Sequence, residues 1–159
     1  MNNDLKKHLN IAVQKKKENK KLFASLGRRK DLDDRFHSMH EEIFQRLDCL
    51  TCANCCKTTS PIFRPIDIER IAKHLKTKVA TFTDTYLRMD EDGDWVLKSS
   101  PCAFLDEQNY CQIYDVRPLA CREYPHTDRK HMHQILDLTY RNTLVCPAVA
   151  EMAERLKSV

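Results

Sequence analysis

Glycine is nearly missing from this chain. Only Gly27 and Gly93 occur in 159 residues, where average usage of about 7% would supply about eleven. They lie far apart, so no phosphate-cradling loop of the P-loop or dinucleotide type can be written with them. Long apolar runs are missing too: no stretch approaches the roughly 18 residues of a membrane span, and mean hydropathy is -0.61. The expectation is a soluble protein with no membrane partner. The N-terminal MNNDLKKHLNIAVQKKK has neither the apolar core nor the small-residue cleavage site of a secretory leader. The expected location is therefore cytoplasmic, where thiols stay reduced unless metal-bound. No serine-histidine or paired-carboxylate constellation can be argued, which counts against ordinary hydrolase chemistry. At 18.7 kDa the chain suits one domain, and one core is the working assumption.

Charge divides the sequence. Residues 1–30 carry ten Lys or Arg against Asp4 and Glu18, whereas the remainder carries 17 against 21 acidic residues. The reading is a basic N-terminal helical segment, 1–30, followed by a cysteine-cluster domain, 31–159. The segment is weakly amphipathic, because the run KKKENKK interrupts its apolar face. Its single aromatic, Phe23, offers little stacking capacity for single-stranded nucleic acid. A solvated basic helix is expected, whose deletion should spare metal binding, and nucleic acid is not expected as a partner.

From Asp31 onward, Leu32, Phe36, Met39, Ile43 and Leu47 repeat at steps of four, three, four and four, which predicts a helix with one apolar face. The stretch Cys49 to Pro61 lacks that period and reads as a loop. Ile68, Ile71, Ala72 and Leu75 predict a short helix with Pro65 in its first turn, and Val79, Phe82 and Tyr86 predict a second. The acidic run Asp90 to Asp94 reads as a turn, because a calcium loop starting at Asp90 would need glycine and glutamate where Trp95 and Pro101 stand. Trp95 to Leu97 and Cys111 to Tyr114 are expected as short strands around a turn at Asp106 to Asn109. Val145, Val149, Met152, Leu156 and Val159 predict a last helix. The expected fold is mainly α with a small β-hairpin (α+β, helix-rich), a compact single domain organised around a cysteine-ligated metal centre.

Cysteine is the residue in excess, with eight in all. Cys49, Cys52, Cys55 and Cys56 form the run C-L-T-C-A-N-C-C. Two residues between cysteines let a turn of backbone aim successive sulfurs at one point, as in zinc and iron-sulfur sites. Cys55 and Cys56 are adjacent, so their side chains diverge unless the backbone bends sharply. Cys102, Cys111, Cys121 and Cys146 each stand beside a turn signal or helix boundary, and ligands from such separate segments imply a tertiary site. A single cysteine is by default a small buried hydrophobe, but four in eight otherwise polar residues are not core packing. Cys49, Cys52 and Cys55 match the first three ligands of the bacterial ferredoxin pattern, and Cys146, followed by Pro147, offers a fourth. Zinc sites normally use two separated CxxC-like pairs, and a second pair is not found. Zinc, iron and a 4Fe-4S cluster all stay open as cofactors.

Cys49 to Cys56, followed by P-C-A-F-L and by C-Q-I-Y-D-V-R-P-L-A-C-R-E-Y-P, resembles the CxxCxxCC family of zinc- or iron-chelating proteins, the YkgJ-type cysteine-cluster family. The resemblance spans roughly residues 45–150. It implies a small, mainly bacterial metal-binding domain in which Cys49, Cys52, Cys55, Cys56, Cys102, Cys111 and Cys121 occupy the family's cysteine positions and Cys146 the usual late one. A related cysteine motif occurs in the longer flagellin lysine methylases, whose activity is not carried over.

A centre with many thiolates needs hydrogen-bond donors or cations around it. Arg117 and Arg122, which bracket Cys121, suit that role, and His126 is a candidate ligand of a mixed site. His131 and His133 are weaker candidates, and His37 and His40 read as polar-face residues of their helix. The leading function is cysteine-ligated binding of a transition metal with a redox or metal-handling role. Two other classes are an iron-sulfur enzyme with an open coordination position acting on an unknown substrate, and a zinc-stabilised module that binds nucleic acid or a protein partner.

Overall fold

Leu32, Phe36 and Ile43 are buried along one face of a single helix, as their spacing requires. In the computed structural model, which describes residues 3–157, that helix belongs to the first of two compact units. The first unit runs to Asn54 and resumes at Pro125, and the second is Cys55–Tyr124. One core was assumed, and two units are found, because the interrupting segment carries enough aromatic and aliphatic side chains to build a core of its own.

The first unit opens with α1 (Asn3–Gln14) and α2 (Lys16–Leu26), followed by α3 (Leu32–Phe44) and the single turn α4 (Cys49–Cys52). The basic segment is thus not merely solvated. Ala12, Phe23 and Leu26 are 1–3% exposed, and the Phe23 ring lies 6.3 Å from that of Tyr140. The lysines remain outside while the sparse apolar residues dock, a division that the KKKENKK run disguises. Lys15 donates to Glu154 at 3.0 Å, and Lys157 pairs with Glu18 at 3.3 Å.

The second unit contains α5 (Asn54–Thr58, its first residue shared with the chain of the first unit), α6 (Pro65–His74), α7 (Val79–Tyr86), a two-stranded sheet and α8 (Leu119–Glu123). Cys49 to Pro61 is therefore not a plain loop. It holds α4, whose turn is fixed by capping rather than by apolar period, and α5. The hairpin is real but its partner strand differs from expectation. β1 (Leu87–Met89) pairs antiparallel with β2 (Trp95–Leu97), in the register Leu87 to Leu97. The acidic turn joins these strands: Asp90 Oδ1 accepts from the Asp92 and Asp94 amides at 3.0 and 2.9 Å, and Gly93 supplies the left-handed residue at φ 84°. Cys111 makes only one bridge, to Leu105 across the Asp106 turn, and Tyr114–Val116 is a 3-10 turn. Phe82 anchors the core here, with ring centroids of Tyr86 and Phe104 at 5.3 and 6.1 Å.

The chain returns to the first unit through a 3-10 turn at Met132–Ile135, α9 (Leu136–Asn142) and α10 (Pro147–Lys157). Every residue from Pro147 to Ala153 is buried, so α10 packs on all sides against helices of its own unit. The Val159 end of the predicted stripe lies outside the described residues. Among the described residues no helix is long and apolar enough to cross a membrane.

Candidate metal centre

The CxxC run folds as a capped turn. Asp48 accepts from the Leu50 amide at 2.9 Å and starts α4. Ala53 ends it in the left-handed conformation, φ 47°, with its amide on the Cys49 carbonyl at 2.7 Å. Cys49 and Cys52 therefore stand three apart on one helical turn, where i and i+3 side chains are neighbours. The Asn54 amide then donates to the Val145 carbonyl at 2.7 Å, and the residue after Val145 is Cys146. Cys52 and Cys146 are buried and Cys49 is exposed. Burial pushes the Cys146 thiol up to about 12; the Val149 and Ala148 amides of α10 oppose the shift, and the Cys49 and Cys52 sulfurs add to it.

In the second unit the Cys102 amide donates to the Cys56 carbonyl at 2.8 Å. Cys102 and Cys111 sit on the two arms of the Asp106 turn, where the Leu105 amide bonds Cys102 and Leu105 bridges Cys111. Both sulfur-bearing residues pack against the aromatic core of this unit. The turn itself is held by Asp106, which accepts from the Gln108 and Tyr110 amides at 2.9 and 2.8 Å. Burial, and then the sulfurs of Cys56, Cys102 and Cys111, push the Cys121 thiol up to about 12. Cys102 and Cys111 are raised for the same reasons, burial first. Cys56 moves the other way, to about 7, because the Cys55 thiol donates to its sulfur; burial opposes this, and the Cys56 amide and Lys57 assist.

Of the flanking residues, Arg117 lies with its guanidinium 3.8 Å from the centroid of the Tyr114 ring and favours the thiolates of Cys111 and Cys121. Arg122 braces backbone instead, donating to the Arg117 and Asp115 carbonyls at 3.1 Å each. His126 is half-buried at φ 65° in the first unit. His37 and His40 do more than cover a polar face: they hydrogen-bond the Arg129 carbonyl and the Thr127 hydroxyl, each at 2.8 Å.

Asp67 and Arg70 escaped the sequence reading. Asp67 is wholly buried and accepts from Arg64 Nε at 3.0 Å, Arg70 at 2.6 Å and the Leu119 amide at 3.3 Å. Arg70 also donates to the Val116 and Arg117 carbonyls at 3.2 and 2.9 Å. The pair thus pins to α6 the segment that leads into Cys121. Pro65-x-Asp67 was a legible helix start, but its long-range partners carried no local signal.

None of the eight cysteines is disulfide-bonded. Among the described residues no three His, Cys, Asp or Glu side chains converge, as placed, to hold a metal ion. The expected organising role of a metal centre is therefore not displayed. Apolar cores organise both units, because each buries enough hydrocarbon to do so. The donor chemistry nevertheless fits a soft or borderline cation, since several sulfurs of one charge type share partly buried surroundings.

The comparison with known families agrees with this donor set. The family model CxxCxxCC, described as "Putative zinc- or iron-chelating domain", matches residues 48–146. That span holds every cysteine and most of the chain, so the protein belongs to the CxxCxxCC family. No curated protein and no solved structure matches it.

Proposed function

We propose that this chain binds zinc or iron through its cysteine thiolates and uses the bound metal in a redox or metal-handling role. The observation that carries the reading is the grouping of cysteines in the second unit, where the Cys102 amide donates to the Cys56 carbonyl at 2.8 Å and Leu105 links Cys102 to Cys111; beside this geometry, the Cys56 sulfur raises the thiols of Cys102, Cys111 and Cys121. Burial and like-charge repulsion both penalise the thiolates of an empty cluster, and a cation among them turns the repulsion into attraction. Cys49, Cys52 and Cys146 supply further thiolates, and Arg117 offsets part of the remaining negative charge. When bound, zinc supplies a fixed tetrahedral brace or a Lewis acid, and iron supplies electron transfer. A reducing compartment such as the cytoplasm keeps these thiols available.

A second reading, an iron-sulfur cluster, draws support from Cys49 and Cys52, which share the spacing of the ferredoxin run and whose sulfurs help to raise the Cys146 thiol. Elemental and sulfide analysis of protein purified without oxygen tests both readings. Zinc or iron at one or more atoms per chain supports metal binding, and matching acid-labile sulfide selects the cluster. Natively folded protein that holds no metal overturns the proposal.

A further inference from the structure

We propose that the exposed face of α1 and α2 is a docking surface for the phosphate backbone of double-stranded nucleic acid, bound without regard to sequence. Composition alone pointed to a solvated helix with no nucleic-acid partner, and the docked geometry points the other way. Burial of the two helices is one-sided: Ala12, Asn19, Phe23 and Leu26 are buried in the first unit, while Lys6, Lys7, Lys16, Lys17, Lys20 and Lys21 are all exposed. The helical hydrogen bonds run on through the junction, from the Lys15 amide to the Ile11 carbonyl at 2.9 Å and from the Asn19 amide to the Lys15 carbonyl at 2.8 Å. The lysines therefore stand on docked backbone, which has little conformational freedom left to lose on binding.

The face keeps one sign because the neighbouring acids are engaged elsewhere. Residues 1–30 contain only Asp4 and Glu18 as carboxylates, and Glu18 pairs with Lys157 at 3.3 Å. Glu154 of α10 is taken by Lys15 and Lys157 at 3.0 and 2.7 Å. Among the described residues the six exposed lysines have no ion-pair partner. Lys16 and Lys20, like Lys17 and Lys21, stand four apart on α2, so like charges are neighbours on its surface, an arrangement that destabilises a helix in isolation. A row of phosphates turns that repulsion into attraction, and the displaced counterions of the duplex favour the complex.

Two features favour a duplex over other polyanions. A single strand is gripped by stacking its bases on aromatic rings, and the one aromatic of the segment, Phe23, is 2% exposed and lies against Tyr140. A membrane surface is gripped by an apolar helix face sunk into the lipid. Here that face is occupied by the core of the first unit, and among the described residues of the segment Val13 is the large apolar side chain left exposed. Lysine ammonium groups act as point charges that fix a protein on phosphates without reading bases, so the contact is sequence-independent.

The test measures fluorescence anisotropy of a labelled DNA duplex of mixed sequence with the full chain, purified without oxygen, across a salt series. The single strand of the same sequence and phosphatidylserine vesicles are measured beside it. Contacts from all six lysines give a log-log salt slope of about -5. Lys17→Gln, Lys20→Gln and Lys21→Gln combined should flatten that slope by about 3. The same charge change in the second unit, Lys73→Gln, Lys76→Gln and Lys78→Gln combined, should leave it unaltered. No duplex binding at low salt, tighter binding to the single strand or to the vesicles, or equal flattening in both triple variants overturns the proposal. All six substituted side chains are exposed, so both variants should melt as the wild type does. Should either fail to fold, the wild type decides: a steep slope with the duplex preferred supports the docking face, and a shallow slope or another preference refutes it.

Discussion

The side-chain amide of Asn54 donates to the Val145 carbonyl at 2.7 Å across 91 residues of sequence. It is placed between the CxxC turn and the cysteine that begins α10, so it acts where local backbone geometry cannot: it sets the position of a ligand candidate far away in the chain. Asn54→Ala removes the donor and leaves the partly buried Val145 carbonyl unpaired, at a cost of about 1–3 kcal/mol. Equilibrium denaturation should show that loss. Metal analysis should show weaker retention at Cys49, Cys52 and Cys146, with Asn54→Asp no better than alanine because a carboxylate donates nothing.

Asp67 governs acid stability. Burial opposes ionisation, yet hydrogen bonds from Arg64 and Arg70 outweigh it and hold the carboxyl at about 2, below its ordinary 3.8. The folded value is the lower one, so this stabilisation is complete above about pH 3.8 and is lost as pH falls through about 2. It amounts to roughly 2 kcal/mol. Melting curves from pH 5 to pH 2 should fall steeply for the wild type. Asp67→Asn should be less stable at pH 5 and show a flatter acid limb; an unchanged limb contradicts the assignment.

The basic N-terminal helices are held by apolar docking more than by charge. Phe23 is 2% exposed, and Phe23→Ala should cost about 3–5 kcal/mol. Lys15→Ala removes an ion pair whose lysine is largely solvated and should cost less than about 1 kcal/mol. Urea titrations that rank the two variants in the opposite order would refute this account. Because α1 and α2 complete the core of the first unit, deletion of residues 1–30 should also destabilise the turn that carries Cys49 and Cys52, contrary to the independence suggested by charge alone.

Arg117 and Arg122 make separable predictions. Arg117 favours the thiolates of Cys111 and Cys121, whereas Arg122 bonds backbone carbonyls. Binding a metal at neutral pH displaces protons from raised thiols. In Arg117→Ala the pH of half-loading with Zn²⁺ should rise, and in Arg122→Ala it should stay near the wild-type value even if stability drops. Equal shifts in both variants would mean that the charge of Arg117 plays no special part.

The legible parts of the molecule were those written in local periodicity. Leu32, Phe36 and Ile43 announced α3, and Pro65 with Ile68, Ile71 and Ala72 announced α6. Trp95 to Leu97 announced a strand, but Leu87 to Met89 did not, because a continuous apolar helix pattern runs up to it and its pairing is decided by the Asp90 turn. The cysteines identified the chemistry but not their grouping. One left-handed alanine ends the Cys49–Cys52 turn and one amide-carbonyl bond joins Cys102 to Cys56, and neither is visible as a pattern of residue types. The basic segment misled for a related reason: ten positive charges obscure three buried apolar side chains.

The central claim is that the cysteines are metal ligands, and protection of their sulfurs measures this most directly. Intact protein purified without oxygen should be treated with a small alkylating reagent before and after exhaustive chelation, and the modified cysteines identified by peptide mass spectrometry. The account predicts that Cys56, Cys102, Cys111 and Cys121 resist alkylation in the loaded protein and react once the metal is withdrawn, even though all four are partly solvent-exposed. Identical labelling of these four residues before and after chelation, in protein shown to be folded, contradicts it.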